Sequence, residues 1–219
     1  MRRRRIIMFF AMIMSMAIIG VGFAAWIITA PAAYQAVDGE ITVDAVEIHG
    51  WKFDYSWKDS NKIVFGTPDT TKEGYVGPTT TWLTNVPAAG ETPIGVEKLT
   101  ATLHVQGVVL DKNANYEITD TAYVVLDLVG AKEGVNYSKY FTYEVSPKTL
   151  SADDLKNGVD VVITFNWVGT NDKNPYDHYN SLECTPEYYN AAYEYLTGLK
   201  EATSGLSFKV TLTTINPNA

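Results

Sequence analysis

The chain of 219 residues is long enough for one large domain or two small ones. Hydrophobic residues make up 46% and charged residues 19%, which excludes a disordered chain and a long coiled coil. Four of the 17 basic residues occupy positions 2–5, which leaves 13 against 25 acidic residues and a net charge of −12. Such an acidic body repels phosphate groups, so we expect no nucleic-acid partner. The single cysteine, Cys184, excludes an intramolecular disulfide.

The N-terminus carries four arginines followed by an uncharged, mostly apolar run over residues 6–30. About 20 apolar residues cross a bilayer as a helix. The arginines should stay in the cytoplasm, which predicts that the rest of the chain is exported. Small residues suited to signal-peptide cleavage lie at Ala24 and Ala32. Two alternatives therefore stay open: residues 1–32 are a cleaved signal peptide, or they remain as a helical membrane anchor.

Beyond the leader, the hydrophobic pattern has a period of two, which is typical of antiparallel strands with one buried face. Gly, Pro, Asn and Asp are concentrated between the runs, as turns require. The runs cover residues 40–49, 51–58, 96–106, 122–129, 138–145, 159–167 and 205–214. We predict a mainly β body of eight or nine strands, closed as an antiparallel β-sandwich in one extracytoplasmic domain over residues 33–219.

Two segments have helical signals instead. Ser151 and Asp154 have the spacing of a capping box and predict a short helix. Near the C-terminus, Thr185 is a suitable N-cap and Pro186 suits the first helical position. We expect this second helix to be inserted between the last two strands and to end before Gly205.

Two polar loops offer oxygen ligands for a cation. Asp111, Asn113 and Asn115 alternate as at the start of a calcium loop, but the glycine and the acidic residue expected further on are absent. A polar hairpin loop is the more typical interpretation of this pattern. The second loop, residues 171–178, contains Asp172, Asp177 and His178, which offer a cation site or belong to a long connection.

An aromatic row alternates along residues 51–57. Trp51, Tyr55 and Trp57 could form a platform for sugar rings, whereas such a row is more often the inner face of a sandwich. The sequence has no GxSxG and no HExxH motif. We therefore predict no catalytic residues, no enzymatic activity and no cofactor.

Several short motifs resemble the TasA/camelysin family of exported Gram-positive proteins. Residues 20–26 (GVGFAAW) resemble the end of that family's leader, and residues 38–43 (DGEITV) its first strand. Residues 87–91 lead into a strand as the family's turn does. The late order is also similar, with a strand at 159–167, an inserted helix, and a closing strand at 205–214.

This resemblance implies a jelly-roll sandwich exported to the cell surface or the biofilm matrix. It also implies a fibre subunit that donates an N-terminal strand, here residues 33–46, to another copy of itself. The alternative is a membrane-anchored or secreted module that binds glycans or neighbouring surface proteins. An uncleaved leader would add the membrane as a partner. Camelysin has been described as a metallopeptidase, but no ligands for that activity are present.

Overall fold

The computed structural model describes residues 36–43, 50–85, 89–90, 93–110 and 117–218. Within these residues the chain is mainly β, as predicted. The strands are β1 (Ala36–Val43), β2 (Trp51–Trp57), β3 (Lys62–Val64), β4 (Thr100–Val109), β5 (Ala122–Val129), β6 (Phe141–Ser146), β7 (Thr149–Leu150), β8 (Val159–Trp167) and β9 (Ser207–Thr213). The helices are α1 (Ala152–Asn157), α2 (Pro175–Asn180) and α3 (Pro186–Thr203), with a 3₁₀ turn at Tyr137–Lys139.

The strands form two sheets. One has the order β3-β1-β9-β5-β7 and the other the order β2-β4-β8-β6. The predicted antiparallel arrangement is confirmed for every pairing between these strands except that of β1 with β9, which is parallel. These two strands are far apart in the sequence, so no tight turn determines their relative direction.

Alternation predicted several strands closely. The bounds of β5 and β8 agree with the predicted runs, and along β8 the side chains of Val161, Ile163, Phe165 and Trp167 are buried. The run at 138–145 was placed too early, because Asn136 caps a 3₁₀ turn before β6 begins. The strand predicted at 96–106 begins later, at the start of β4, and the one predicted at 40–49 begins earlier, at the start of β1. The short strands β3 and β7 were not predicted.

Side chains from the two sheets meet in a shared hydrophobic core. The ring of Phe208 on β9 lies 6.0 Å from that of Phe165 on β8 and 6.0 Å from that of Trp57 on β2, between ring centroids. Phe65, which follows β3, packs its ring 4.8 Å from Phe141 and 5.3 Å from Trp167. Aromatic packing therefore joins both sheets and the segment after β3.

The helices confirm the two predicted capping signals and add a third. Ser151 and Asp154 form a capping box at α1, and Thr185 caps α3 between β8 and β9. The expectation of a single inserted helix near the C-terminus was incomplete, because α2 occupies part of the loop predicted at 171–178. Asn174 caps α2 and Pro175 begins it, so its six residues carry the same signals as α3 over a shorter length.

No helix in the described part of the chain is both long and apolar enough to cross a bilayer. The leader, with its cleavage candidates Ala24 and Ala32, lies outside the described residues. So do residues 111–116, with the calcium-loop candidates Asp111, Asn113 and Asn115. The flanking strands β4 and β5 belong to different sheets, so the hairpin predicted there is wrong.

Candidate functional site

Strand β1 occupies a slot between β3 and β9. Its residues 36–38 are antiparallel to residues 64–62 of β3, and its residues 38–43 are parallel to residues 207–212 of β9. The other side of β9 is paired with β5. Without β1, the backbone of β9 would lie open on one side as a sheet edge, a surface on which another strand can pair.

The slot leaves no room for a side chain at Gly39. A Cβ atom at this position would lie 2.3 Å from Cζ and 2.5 Å from Cε2 of Phe208, and 2.9 Å from the carbonyl oxygen of Asn61. Gly39 and Phe208 are both buried. Only glycine therefore fits at this position of β1 while the ring of Phe208 keeps its place.

Asn61 holds both backbone polar groups of Gly39. The Gly39 amide donates to the Asn61 carbonyl at 2.7 Å, and Asn61 Nδ2 donates to the Gly39 carbonyl at 3.0 Å. Two positions along the strand, Ile41 packs against the core. The candidate donor strand, residues 33–46, thus contains a described part that is bonded and packed within its own chain.

The aromatic row of β2 lies mainly in the core. Trp51 is 0% exposed and donates from Nε1 to Asp120 Oδ2 at 2.8 Å, while Trp57 packs edge-on against Phe208. Tyr55 is 40% exposed. The structure therefore places Trp51 in the core, where it is not accessible to a sugar, and leaves Tyr55 exposed.

A groove of about 920 Å³ lies between residues 74–82 and the segment formed by α2 and residues 181–184. Its wall includes the exposed hydroxyl-bearing residues Thr79, Thr80 and Thr81. Across the groove, Tyr75 donates its hydroxyl to Asp177 Oδ1 at 3.0 Å. Burial, and then the hydrogen bond to Asp177, raise the pKa of Tyr75.

Asn174 attaches the start of α2, and with it one wall of the groove, to the sheets. Its Nδ2 donates to Glu97 Oε2 at 2.6 Å and to the carbonyl of Gly66 at 2.7 Å, while its Oδ1 accepts from the Tyr176 amide. Glu97 Oε2 also accepts from Trp167 Nε1 at 2.8 Å. Glu97 and Asn174 therefore link the segment before β4, the end of β8 and α2. Alternation and capping patterns do not signal such a long-range contact.

The structure does not bring the second group of cation candidates together as a set of three ligands. Asp172 lies in a turn with φ of 57°, Asp177 is bonded to Tyr75, and His178 packs edge-on against Tyr179. Burial lowers the pKa of His178, and the nearby positive charge of Lys173 lowers it further. Among the residues the structure describes, no three His, Cys, Asp or Glu side chains are grouped to hold a metal ion.

Ser56, His104 and Asp160 are register partners on three adjacent strands, but they are not arranged as a hydrolytic triad. His104 Nδ1 lies 2.9 Å from Asp160 Oδ1, as a triad requires. Its Nε2 faces Gly158, where an added Cβ would lie 2.8 Å away, on the β8 side rather than the Ser56 side. Lys58 Nζ donates to Asp160 Oδ2 at 2.5 Å, so the group is a surface ion-pair cluster.

Comparisons with known proteins add nothing to this geometry: no family model, no curated protein and no solved structure matches the chain. The resemblance to the TasA/camelysin family therefore stays a prediction. The class that the structure itself defines is a mainly β protein with two sheets and an N-terminal strand inserted between β3 and β9.

Proposed function

We propose that this chain is an exported structural protein of the cell surface or extracellular matrix, without enzymatic activity, whose copies assemble into fibres by exchanging β1. The observation that carries the proposal is the position of β1. It lies near the N-terminus, yet it fills an interior place between β3 and β9. A strand in that place contributes backbone hydrogen bonds on two sides and an apolar residue, Ile41, to the core.

In this proposal the two sheets form a sandwich of the jelly-roll type. Its support is the shared core, in which Phe208 of the five-stranded sheet contacts Trp57 and Phe165 of the four-stranded sheet. Through Phe208, β9 already packs against the other sheet, so the slot for β1 lies beside a strand that is part of the core. A strand from another copy would meet the same surface as the chain's own strand.

Exchange of β1 needs no unthreading once the leader is removed, because the strand then has a covalent connection at its C-terminal end alone. Exchange of an identical element between copies is domain swapping, and repeated head-to-tail exchange that does not close produces a filament. A retained leader would tether β1 to the membrane and hinder exchange. Cleavage near Ala32 is therefore the activating step in this proposal.

The test uses residues 33–219, kept concentrated for days and examined by size exclusion and negative-stain electron microscopy. The matched control is a variant in which a disulfide holds β1 in its own chain. Thr42 and Thr211 are register partners, so Thr42→Cys with Thr211→Cys, in a Cys184→Ser background, places two cysteines on neighbouring strands.

We expect filaments from the unmodified protein, none from the oxidised variant, and filaments again when that variant is reduced. Filaments from the oxidised variant would overturn strand exchange while leaving a structural role. A protein that stays monomeric under all conditions would overturn self-assembly and would favour a module that binds glycans or surface proteins.

The second candidate function is a secreted or anchored module that binds glycans or surface proteins. The observation that favours it is the groove beside α2, with exposed threonine hydroxyls and the Asp177 carboxylate along its walls. Its test is a glycan array with the Thr80→Trp variant, which fills the groove. Thr142→Trp, at an exposed position on β6, is the control. Binding lost with the first variant and kept with the second supports this function.

A further inference from the structure

We infer that the slot between β3 and β9 selects its strand by a glycine at the position opposite Phe208. The slot is thus a binding site for an extended peptide with the pattern of Ala36–Val43. The inference depends on the proposed strand exchange only for the source of that peptide, a second copy of this chain. Gly39 is then a specificity-determining residue of assembly.

The first step is that neither neighbour of Gly39 can yield at low cost. Phe208 is 0% exposed, and its ring packs against those of Trp57 and Phe165, with centroids 6.0 Å away in each case. A close-packed interior has no free volume into which a ring can retreat. The other neighbour is a backbone oxygen, that of Asn61, which already accepts the Gly39 amide hydrogen bond.

The second step is register. The segment AVDGEITV contains one glycine. A shift of one residue would place Asp38 or Glu40 against Phe208, where a carboxylate would be buried against an aromatic ring. A shift of two residues would place the branched side chain of Val37 or Ile41 there. The native register, with Gly39 beside Phe208, is the one that fits.

The third step is discrimination between segments of the same chain. β4 contains a glycine, Gly107, whereas β2, β3, β5, β6, β7, β8 and β9 contain none. During export and assembly, many chains present exposed strands at high concentration, and any of these could pair with the open edge of β9. A slot that requires glycine at one position excludes the strands without glycine by steric clash. This is selection against wrong partners as well as for the right one.

The experiment uses the full chain in mild detergent and measures hydrogen exchange of residues 36–43 by mass spectrometry. We expect Gly39→Ala to reduce the protection of this segment at least about tenfold, because the strand no longer seats. Glu40→Ala, the adjacent position on the same strand, should change protection less than about twofold. Equal protection in Gly39→Ala and the unmodified chain would overturn the inference.

A compensating variant distinguishes a steric clash with Phe208 from general misfolding of the Gly39→Ala chain. Phe208→Leu removes the ring, which is the nearer of the two obstacles to a side chain at position 39, and leaves the Asn61 carbonyl oxygen at 2.9 Å. Gly39→Ala should therefore cost less protection in the Phe208→Leu chain than in the unmodified chain. A loss that is merely additive in the double variant would overturn selection by Phe208.

A peptide probe tests the slot directly. The Gly39→Ala chain, with its own strand displaced, should bind labelled AVDGEITV at least about tenfold more tightly than AVDAEITV. Equal affinities would overturn the inference.

Filaments that are unaffected by Gly39→Ala would overturn the glycine requirement and leave strand exchange intact. A monomeric protein with the expected exchange and peptide results would keep the glycine requirement and overturn the fibre.

Discussion

Asn180 and Leu83 are joined by two hydrogen bonds that reproduce the pairing of adjacent β-strands. Asn180 Oδ1 accepts from the Leu83 amide at 2.7 Å, and its Nδ2 donates to the Leu83 carbonyl at 3.0 Å. The same Oδ1 accepts from the Trp82 amide at 3.0 Å. Asn180 is buried, so its amide satisfies backbone groups of a segment that lies outside the described strands.

Replacing Asn180 with alanine should therefore destabilise the protein strongly. Three backbone groups of Trp82 and Leu83 would lose their partner in a buried environment, for a loss of about 3 kcal/mol in the free energy of unfolding. Urea denaturation measures it. Asn166→Ala, an exposed asparagine on β8, is the control and should change stability by less than about 0.5 kcal/mol. Equal effects of the two variants would contradict the structural role of Asn180.

The aromatic row of β2 is tested by two substitutions that differ in burial. Trp51 is fully buried and its ring packs edge-on against Phe53, so Trp51→Ala should cost about 3–5 kcal/mol of stability. Tyr55→Ala, at a 40% exposed position, should cost less than about 1 kcal/mol. Thermal and urea unfolding measure both. A Trp51→Ala protein as stable as the unmodified one would contradict a core position for Trp51. It would favour the alternative hypothesis that the aromatic row is a platform for sugar rings.

The carboxyl group of Asp160, in the surface ion-pair cluster, should titrate at a more acidic pH than an ordinary aspartate. The hydrogen bond from Lys58, and then that from His104, lower the pKa of Asp160 below its usual 3.8. Because the folded pKa lies below the unfolded one, the stabilisation is present above about pH 4 and is lost as pH falls through the folded value. Lys58→Met should raise the Asp160 pKa towards 3.8 in a carboxyl NMR titration. An unchanged pKa would show that Lys58 does not hold the carboxylate in solution.

Tyr195 should make the fold sensitive to alkali. Its hydroxyl donates to the carbonyl of Val168 at 2.7 Å and to that of Tyr140 at 3.1 Å, and burial raises its pKa well above 10. The unfolded chain releases this proton near pH 10 while the folded chain keeps it, so stability falls as pH rises above about 10.

Tyr195→Phe should make that alkaline decline less steep, as measured by urea unfolding at a series of pH values. Tyr188→Phe, an exposed tyrosine on the same helix, should leave the decline unchanged. Ultraviolet tyrosinate absorbance of the folded protein gives a second readout. A Tyr195 that titrates near pH 10 in the folded state would contradict its burial.

Local patterns predicted the elements whose signals lie within a few consecutive residues. The alternation at 159–167 predicted β8 with its buried face, and the capping residues Ser151 and Thr185 predicted α1 and α3. α2 was missed although Asn174 and Pro175 signal its start, because six residues are too few for a helical hydrophobic period to emerge.

By itself, the sequence determined that the chain is mainly β, that residues 6–30 form an uncharged, mostly apolar run, and where its caps and most of its described strands lie. These properties depend on neighbouring residues along the chain. The tertiary structure alone decided that β1 runs parallel to β9, that Gly39 lies beneath Phe208, and that Asn180 pairs with Leu83. Each of these pairs joins residues about a hundred or more positions apart. Their contact depends on how the two sheets and α2 fill the same volume, which no local period encodes.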